Sequence, residues 1–391
     1  MLRSLTLSLA LVLCAAAPAL AQPARDPFDP LNLLLTEERL RQVHDQLALG
    51  DPLAVAARDQ VVAEAAPFMA RDPDPIHGVL KVPGFYTSKR AQQQAITRRL
   101  RGDAWGAHAL ALAFAVTGDL RYADRAERYL FAWVDHLTRP VDGGEWWHFL
   151  ILQKRGDTPL VMSYSFPSFF YAYDLLRGLG RIDAAEHARF VAWVRPFVDY
   201  HRREELWKDN SHAWQSLFLA TAAHVTQDRA LFDQALRQYR RGFASQLCRD
   251  GALGRELLRG SRAATYTLMA LEAMLQVVAI GERHGHTGLR DLRASSGARL
   301  VDTVDRVATF VVDPADWQRA YGLLLPSTVN GPASRSEWGW CFELAHALWG
   351  GSNHLSLAAD APYGLQPPRA YTLAFATLYF RPFPGLPSPL P

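Results

Sequence analysis

Residues 109–133 read ALALAFAVTGDLRYADRAERYLFAW. An apolar helix ends at Val116-Thr117, Gly118-Asp119 makes a turn, and a charged helix with one apolar face returns. The same events recur 109 residues further on: Val116-Thr117, Asp119, Asp124 and Ala126 come back as Val225-Thr226, Asp228, Asp233 and Ala235. Antiparallel helix pairs that stack side by side bury one another's apolar faces, and they build a solenoid or a closed ring. Helical periodicity runs through most of the remaining chain, and no run alternates with period two for long enough to predict a sheet. The spacing predicts helices over 36–48, 53–69, 90–116, 120–137, 164–177, 183–203, 212–225, 229–247, 262–284, 296–311, 336–349 and 368–378. Asp183 followed three residues on by Glu186 has the form of a capping box. The expected fold class is all-α: an incomplete (α/α) toroid of antiparallel helix pairs, with polar loops gathered at its concave or inner end.

Composition narrows the function. The chain has 391 residues, 49% hydrophobic and 21% charged, as expected of a globular protein. A formal charge of +3 with no concentrated basic stripe argues against nucleic acid as a partner. The start reads as a secretory signal peptide over residues 1–21: Arg3, an apolar run from Leu5 to Leu13, and Ala19-Leu20-Ala21 before a cut at Gln22. Residues 22–391 would then form one domain, exported across the inner membrane to the periplasm. The leader run is too short to span a bilayer, and no transmembrane segment is expected further on. A Pro-rich stretch ends the chain and reads as a surface strap or frayed end. Cys248 and Cys341 leave a disulfide open, and two distant cysteines do not make a metal site.

Two polar insertions at the mouths of apolar helices carry the chemistry. One is Asn210-Ser211-His212-Ala213-Trp214, and the other runs from Glu256 to Tyr266 and contains Arg259 and Arg262. They supply an amide, an imidazole, a guanidinium and a phenol. That set suits proton abstraction next to a carboxylate, since some groups neutralise the acid while another takes and returns a proton. Plain capping by Asn210 or Ser211 is the alternative for the first insertion, and a surface salt-bridge face with Glu256 pairing Arg259 for the second. If 259–266 is helical, Arg259, Arg262 and Tyr266 share one face. Two guanidiniums beside a phenol would lower its pKa.

Asn-x-His-x-Trp, followed some fifty residues later by Glu-Leu-x-Arg-Gly-x-Arg-Ala-x-x-Tyr, resembles the alginate lyase family of polysaccharide lyases. The helix pair 109–133 and Tyr171-Ala172-Tyr173-Asp174-Leu175-Leu176 are similar to that family as well. The resemblance covers roughly residues 85–280. It implies an α/α toroid that cleaves a 1,4-linked polyuronate by β-elimination, with polymannuronate first and glucuronan second, and leaves a 4,5-unsaturated end. It places Asn210, His212 and Arg259 as carboxylate neutralisers and Tyr266 as base and acid. Known members carry a second Asn where this chain has Ser211, and often a His where it has Thr265, so the amide comes from Asn210 or is missing. An anionic polysaccharide is the implied partner, and no cofactor or metal is called for. Mannuronate against glucuronate, endo against exo cleavage, and oligomeric state stay open.

Further substrate contacts are expected from Tyr86 and Arg90 in a lid at 84–90, from Trp147 and His148 as an aromatic platform, and from Trp214 and Arg262. A surface loop and core tryptophans are the plain alternatives, and Trp338 and Trp340 read as core. His284-x-His286 hints at a metal but lacks a third ligand. Two rival functions remain. An α/α-barrel glycoside hydrolase would need two carboxylates, for which Asp174 and Glu256 are candidates. A noncatalytic polysaccharide-binding protein would keep the fold and the groove.

Overall fold

A computed structural model describes residues 26–144, 146–148, 151–153, 156–203, 209–323, 339–351, 371–373, 375–383, 386 and 390. The expected signal peptide and Trp338 lie outside them. The fold is all-α, with helices α1 (Glu37–Ala48), α2 (Pro52–Ala70), α3 (Arg90–Thr117), α4 (Leu120–His136), α5 (Thr158–Gly178), α6 (Ala184–Arg202) and α7 (Asn210–Val225). There follow α8 (Arg229–Gln246), a one-turn α9 (Gly254–Leu257), α10 (Ala263–Arg283), α11 (Leu300–Val312), α12 (Pro314–Tyr321), α13 (Trp340–Trp349) and α14 (Ala376–Phe380). Two ribbons add to what periodicity predicted: β1 (Gly78–Leu80) pairs in parallel with β2 (Leu137–Pro140), and β3 (Trp146–His148) pairs antiparallel with β4 (Ile151–Gln153). Strands of three or four residues are too short to show an alternation.

The repeat seen in sequence is structural. α3 turns into α4 as α7 turns into α8, and the aspartate of each turn caps the return helix. Asp119 accepts from the Arg121 N–H at 3.0 Å, and Asp228 from the Leu231 N–H at 2.9 Å. The turn residue before each cap is left-handed, Gly118 at φ 72° and its counterpart Gln227 at φ 56°. Gly adopts that conformation without cost, whereas Gln does so under some strain. The Asp183–Glu186 capping box also forms.

Burial sorts the helices into two shells. α5, α7 and α10 are buried over nearly their whole length, as is α3 from Ala104 to Val116 apart from Trp105. α4 buries only Ala123, Ala126, Tyr129, Leu130 and Trp133, a single face at helical spacing. Inner helices pack in the order α3, α5, α7, α10, with α4 against α3 and α8 against α7. Together with the 3-10 turn before it, α10 is long and apolar enough to cross a membrane by composition, but 89% of its apolar window is buried in this core.

Several expectations need correction. α5 starts at Thr158-Pro159, ahead of residue 164, because Pro is well suited to a helix's first turn. α7 starts at Asn210, capped by Asp209 through the Ser211 N–H at 2.8 Å, so neither Asn210 nor Ser211 is the cap. The C-terminal tail is not a frayed strap where it is described, since Phe383 and Leu390 are buried in the core. Two buried charges draw this segment in. Arg39 donates to the carbonyls of Thr377, Leu378 and Arg381, and Glu272 accepts from the N–H groups of Tyr371, Thr372 and Leu373. Cys248 and Cys341 are both free thiols.

Asp174, a candidate acid for the hydrolase alternative, is committed to holding the fold. Its carboxylate accepts from the N–H groups of Leu31 (2.9 Å), Asn32 (3.2 Å) and Leu33 (3.1 Å), and it meets His224 Nε2 at 2.9 Å. His224 Nδ1 in turn faces His284 Nε2 at 2.9 Å, so the His284-x-His286 pair is divided. His284 is used in the core, while His286 sits beside Asp233. Asp174→Ala would strand three backbone N–H groups in a buried site, at about 1–3 kcal/mol each before relaxation. Calorimetry should show a loss of at least ~3 kcal/mol in unfolding free energy; a loss below ~1 kcal/mol would contradict this anchoring role.

Candidate active site

The inner helices α5, α7 and α10 run in parallel. Asp174, His224 and His284 meet at their C-terminal ends, and the N-terminal ends of these helices share the opposite rim. Each N-terminus turns outward the positive end of a helix dipole and N–H groups that have no partner within the helix. Several of the residues that link the helices at that rim are those singled out from sequence.

Tyr266 lies in the first turn of α10. Its hydroxyl is 2.9 Å from the hydroxyl of Tyr86, and Arg262 Nη1 donates to Tyr86 at 3.0 Å. The guanidinium of Arg259 lies over the Tyr266 ring, 4.4 Å from its centroid. Sequence reasoning placed both arginines on one helical face with Tyr266. In fact α10 begins at Ala263, and a 3-10 turn at Gly260–Arg262 precedes it. The two guanidiniums therefore take different tasks, Arg259 against the ring and Arg262 at the mouth against Tyr86.

The expected drop in the Tyr266 pKa is also overturned. Burial pushes the phenol up, the hydrogen bond with Tyr86 adds to this, and Arg259 opposes it without prevailing. Arg259 is itself engaged by acids. It donates to Asp209 at 2.8 Å, and its Nε lies 3.4 Å from Glu256. The resting site thus holds Tyr266 as a neutral phenol, beside a guanidinium whose charge two carboxylates largely match.

Asn210 and His212 occupy the first turn of α7. The backbone N–H and the side-chain Nδ2 of Asn210 both donate to Glu256 Oε1, at 2.6 and 3.0 Å. Burial, with Asp209 adding to it, pushes the Glu256 carboxyl up to about 7. His212 is buried and packs against α8 at Gly242, where an added Cβ would lie 2.2 Å from Nδ1. A glycine inside a helix costs roughly 0.5–1 kcal/mol relative to alanine. Here it makes the room that the imidazole occupies.

The loop before α3 brings Tyr86 to the rim. Asp157, at the start of α5, accepts from the Phe85 N–H at 2.8 Å, and burial pushes its carboxyl up to about 7. Arg90 stacks on the Phe85 ring at 4.4 Å, so it braces the loop. Trp147 and His148 fall on β3, and their side chains lie outside the described residues. Trp214 is fully buried, packed against Tyr164 and Tyr371, so it backs the site from the core and has no exposed surface for substrate.

Sequence reasoning missed Asp209, Asp157, Gly242 and the pair Arg101–Tyr371, in which a guanidinium lies 4.2 Å from a ring centroid beside Trp214. Gly242 had a local signal, a glycine inside an otherwise helical pattern. Tyr371 had none, because only the fold brings it here.

Known proteins share both the sequence pattern and the fold. The family profile described as alginate lyase matches residues 81–317. The chain belongs to the alginate lyase family. It is 32% identical over 116 residues to an alginate lyase of Cobetia marina, a stretch covering 29% of this chain and 30% of that one. An alginate lyase of Pseudomonas fluorescens is 32% identical over 132 residues, 34% of each chain. The matches thus span about a third of these relatives' length. In three dimensions, an alginate lyase from Bacteroides ovatus superposes with a TM-score of 0.70 at 14% identity, over 89% of this chain and 98% of that one. The alginate lyase A1-III from Sphingomonas species A1 gives 0.66 at 16% identity, over 91% and 97%. At these identities the structures confirm the toroid fold.

Gly242→Ala should displace the His212 ring, since the imidazole must give way by about an ångström to restore ordinary contact. Histidine side-chain NMR should show the His212 resonances moved, with a stability change of no more than ~1–3 kcal/mol. Unmoved resonances would mean that the glycine does not set the ring's position.

Proposed function

We propose that the protein is a polysaccharide lyase that cleaves a 1,4-linked polyuronate by β-elimination, with polymannuronate blocks as first choice and glucuronan as second. The observation that carries this is the meeting of Tyr266, Tyr86, Arg262 and Arg259 at the rim of converging helix N-termini. Family membership supports the reaction class. The structurally similar alginate lyase A1-III holds a tetrasaccharide in variants that lack a histidine or a tyrosine hydroxyl.

The chemistry follows from charge. The proton on C5 of a uronate is weakly acidic because its removal loads negative charge onto the adjacent carboxylate. Donors aimed at that carboxylate stabilise the transition state more than the ground state. Arg259 is already matched by Asp209 and Glu256, so the role is assigned to His212, to the Nδ2 of Asn210 and to Arg262 at the mouth. Tyr266 takes the C5 proton as phenolate, the C5–H electrons form the C4=C5 double bond, and the C4–O4 bond breaks. The leaving oxygen then receives the proton from Tyr266. One tyrosine serves both steps only when H5 and O4 lie on the same side of the ring. Mannuronate and glucuronate satisfy this condition, and guluronate does not.

Because Tyr266 rests as a phenol, it must first lose that proton to solvent base; each elimination then returns it as the phenolate. Tyr86 accepts from Arg262 and can donate its own proton to Tyr266, so once formed the phenolate has a hydrogen-bond donor and two nearby cations. We also place the mature protein in the periplasm, on the signal-like residues 1–21.

Ultraviolet absorbance of purified mature protein on polymannuronate, polyguluronate and glucuronan tests the proposal. Unsaturated product should appear on one same-side polymer and increase from about pH 7 to 9 as more Tyr266 ionises. Tyr266→Phe should abolish it. Activity retained by that variant, or cleavage confined to polyguluronate, would contradict the mechanism.

A further inference from the structure

Glu256 is the most completely buried acid at the rim, and the elimination chemistry gives it no bond to make or break. It lies on α9, the one-turn helix leading into the arginine turn, and none of its surface reaches solvent. A lone carboxylate there would be costly, and burial has raised its pKa accordingly. What surrounds it explains its presence. Oε1 accepts both N–H donors of Asn210, and Oε2 faces Arg259 Nε at 3.4 Å with no hydrogen bond of its own. The charged groups facing it are Asp209, the cap of α7, and Arg259 on its own segment.

The geometry points to Glu256 as a positioning residue of the reaction: it fixes which way the Asn210 amide faces and where Arg259 lies over Tyr266. This inference rests on the lyase reading above. An asparagine amide can present either its NH2 or its carbonyl, and only the NH2 helps an approaching carboxylate. Glu256 Oε1 selects the side on which Nδ2 sits, and it uses one of the two Nδ2 hydrogens. The carbonyl, Asn210 Oδ1, is left buried without a partner. That is tolerable only while something stronger holds the other side. The same carboxylate, with Asp209, holds the Arg259 guanidinium over the Tyr266 ring, where it counters the burial of the phenolate. One buried acid thus sets a donor for the substrate carboxylate and a cation for the base.

Glu256→Gln is nearly isosteric, but it places an amide NH2 where Oε1 or Oε2 stood, so either Asn210 or Arg259 faces a donor. At pH 8, on the polymer that the wild type cleaves, kcat should fall about 100-fold with KM within about three-fold, the pattern of lost transition-state stabilisation. The ratio of variant to wild type should rise toward one as pH falls to about 5.5, because wild-type Glu256 takes up its own proton over that range. A merely structural role would lower the ratio equally at every pH, and that result overturns the inference. So does a variant kcat within about three-fold of wild type at pH 8.

If Glu256→Gln fails to fold by thermal melting, Glu256→Asp decides, since it keeps the charge but cannot reach both partners. A normal melt with reduced kcat supports the inference, and a normal melt with full kcat overturns it. A wild type silent on every uronate polymer would instead remove the lyase reading, and this role with it, which is distinguishable from an active wild type indifferent to the substitution.

Discussion

The structure depends on the parallel run of its inner helices. Because α5, α7 and α10 point the same way, their unsatisfied N–H groups gather at one rim and their unsatisfied carbonyls at the other. The carbonyl rim is closed by the chain's own N-terminal segment, drawn in by Asp174 and backed by His224 and His284. The N–H rim stays available and carries the phenol, imidazole, amide and guanidinium side chains. Return helices α4, α6 and α8 make this arrangement possible, since each brings the chain back outside the ring to start the next inner helix.

Charge at that rim is more evenly balanced than a count of arginines suggests. Asp209 and Glu256 both lie against Arg259, so this arginine serves the ring of Tyr266 rather than standing free for an anion. Arg262 is exposed and hydrogen-bonds to Tyr86, so among the described residues it is a cation at the mouth. Tyr266 rests neutral because burial outweighs its single stacked cation. Tyr86 is the hydrogen-bond partner of that resting phenol.

The fold was legible in the sequence wherever a signal was local. The apolar run up to Val116, the turn at Gly118-Asp119 and its echo at Gln227-Asp228 lie within a few residues of the contacts they specify. The capping box at Asp183 is local in the same way. The site was legible as residue types at helix mouths, and Tyr266, Arg259, Asn210 and His212 do lie together at one rim. What escaped was anything set by burial or by distant chain. The sequence shows that Tyr266 has arginine neighbours, but not that the phenol is desolvated. Trp214 sits in a motif with polar partners, yet its place in the helical register turns it into the core against Tyr164 and Tyr371. Asp157 reaches Phe85 across 72 residues, and Glu272 reaches Tyr371 across 99. No local pattern encodes either contact.

The central claim is that this rim breaks a glycosidic C–O bond by elimination, without adding water. Cleavage of a same-side polyuronate in water enriched in oxygen-18, followed by mass spectrometry of the fragments, tests it most directly. The account predicts new ends that carry no label and a double bond in one fragment of each pair. A label incorporated at every cut, with saturated ends, would show hydrolysis and contradict the account.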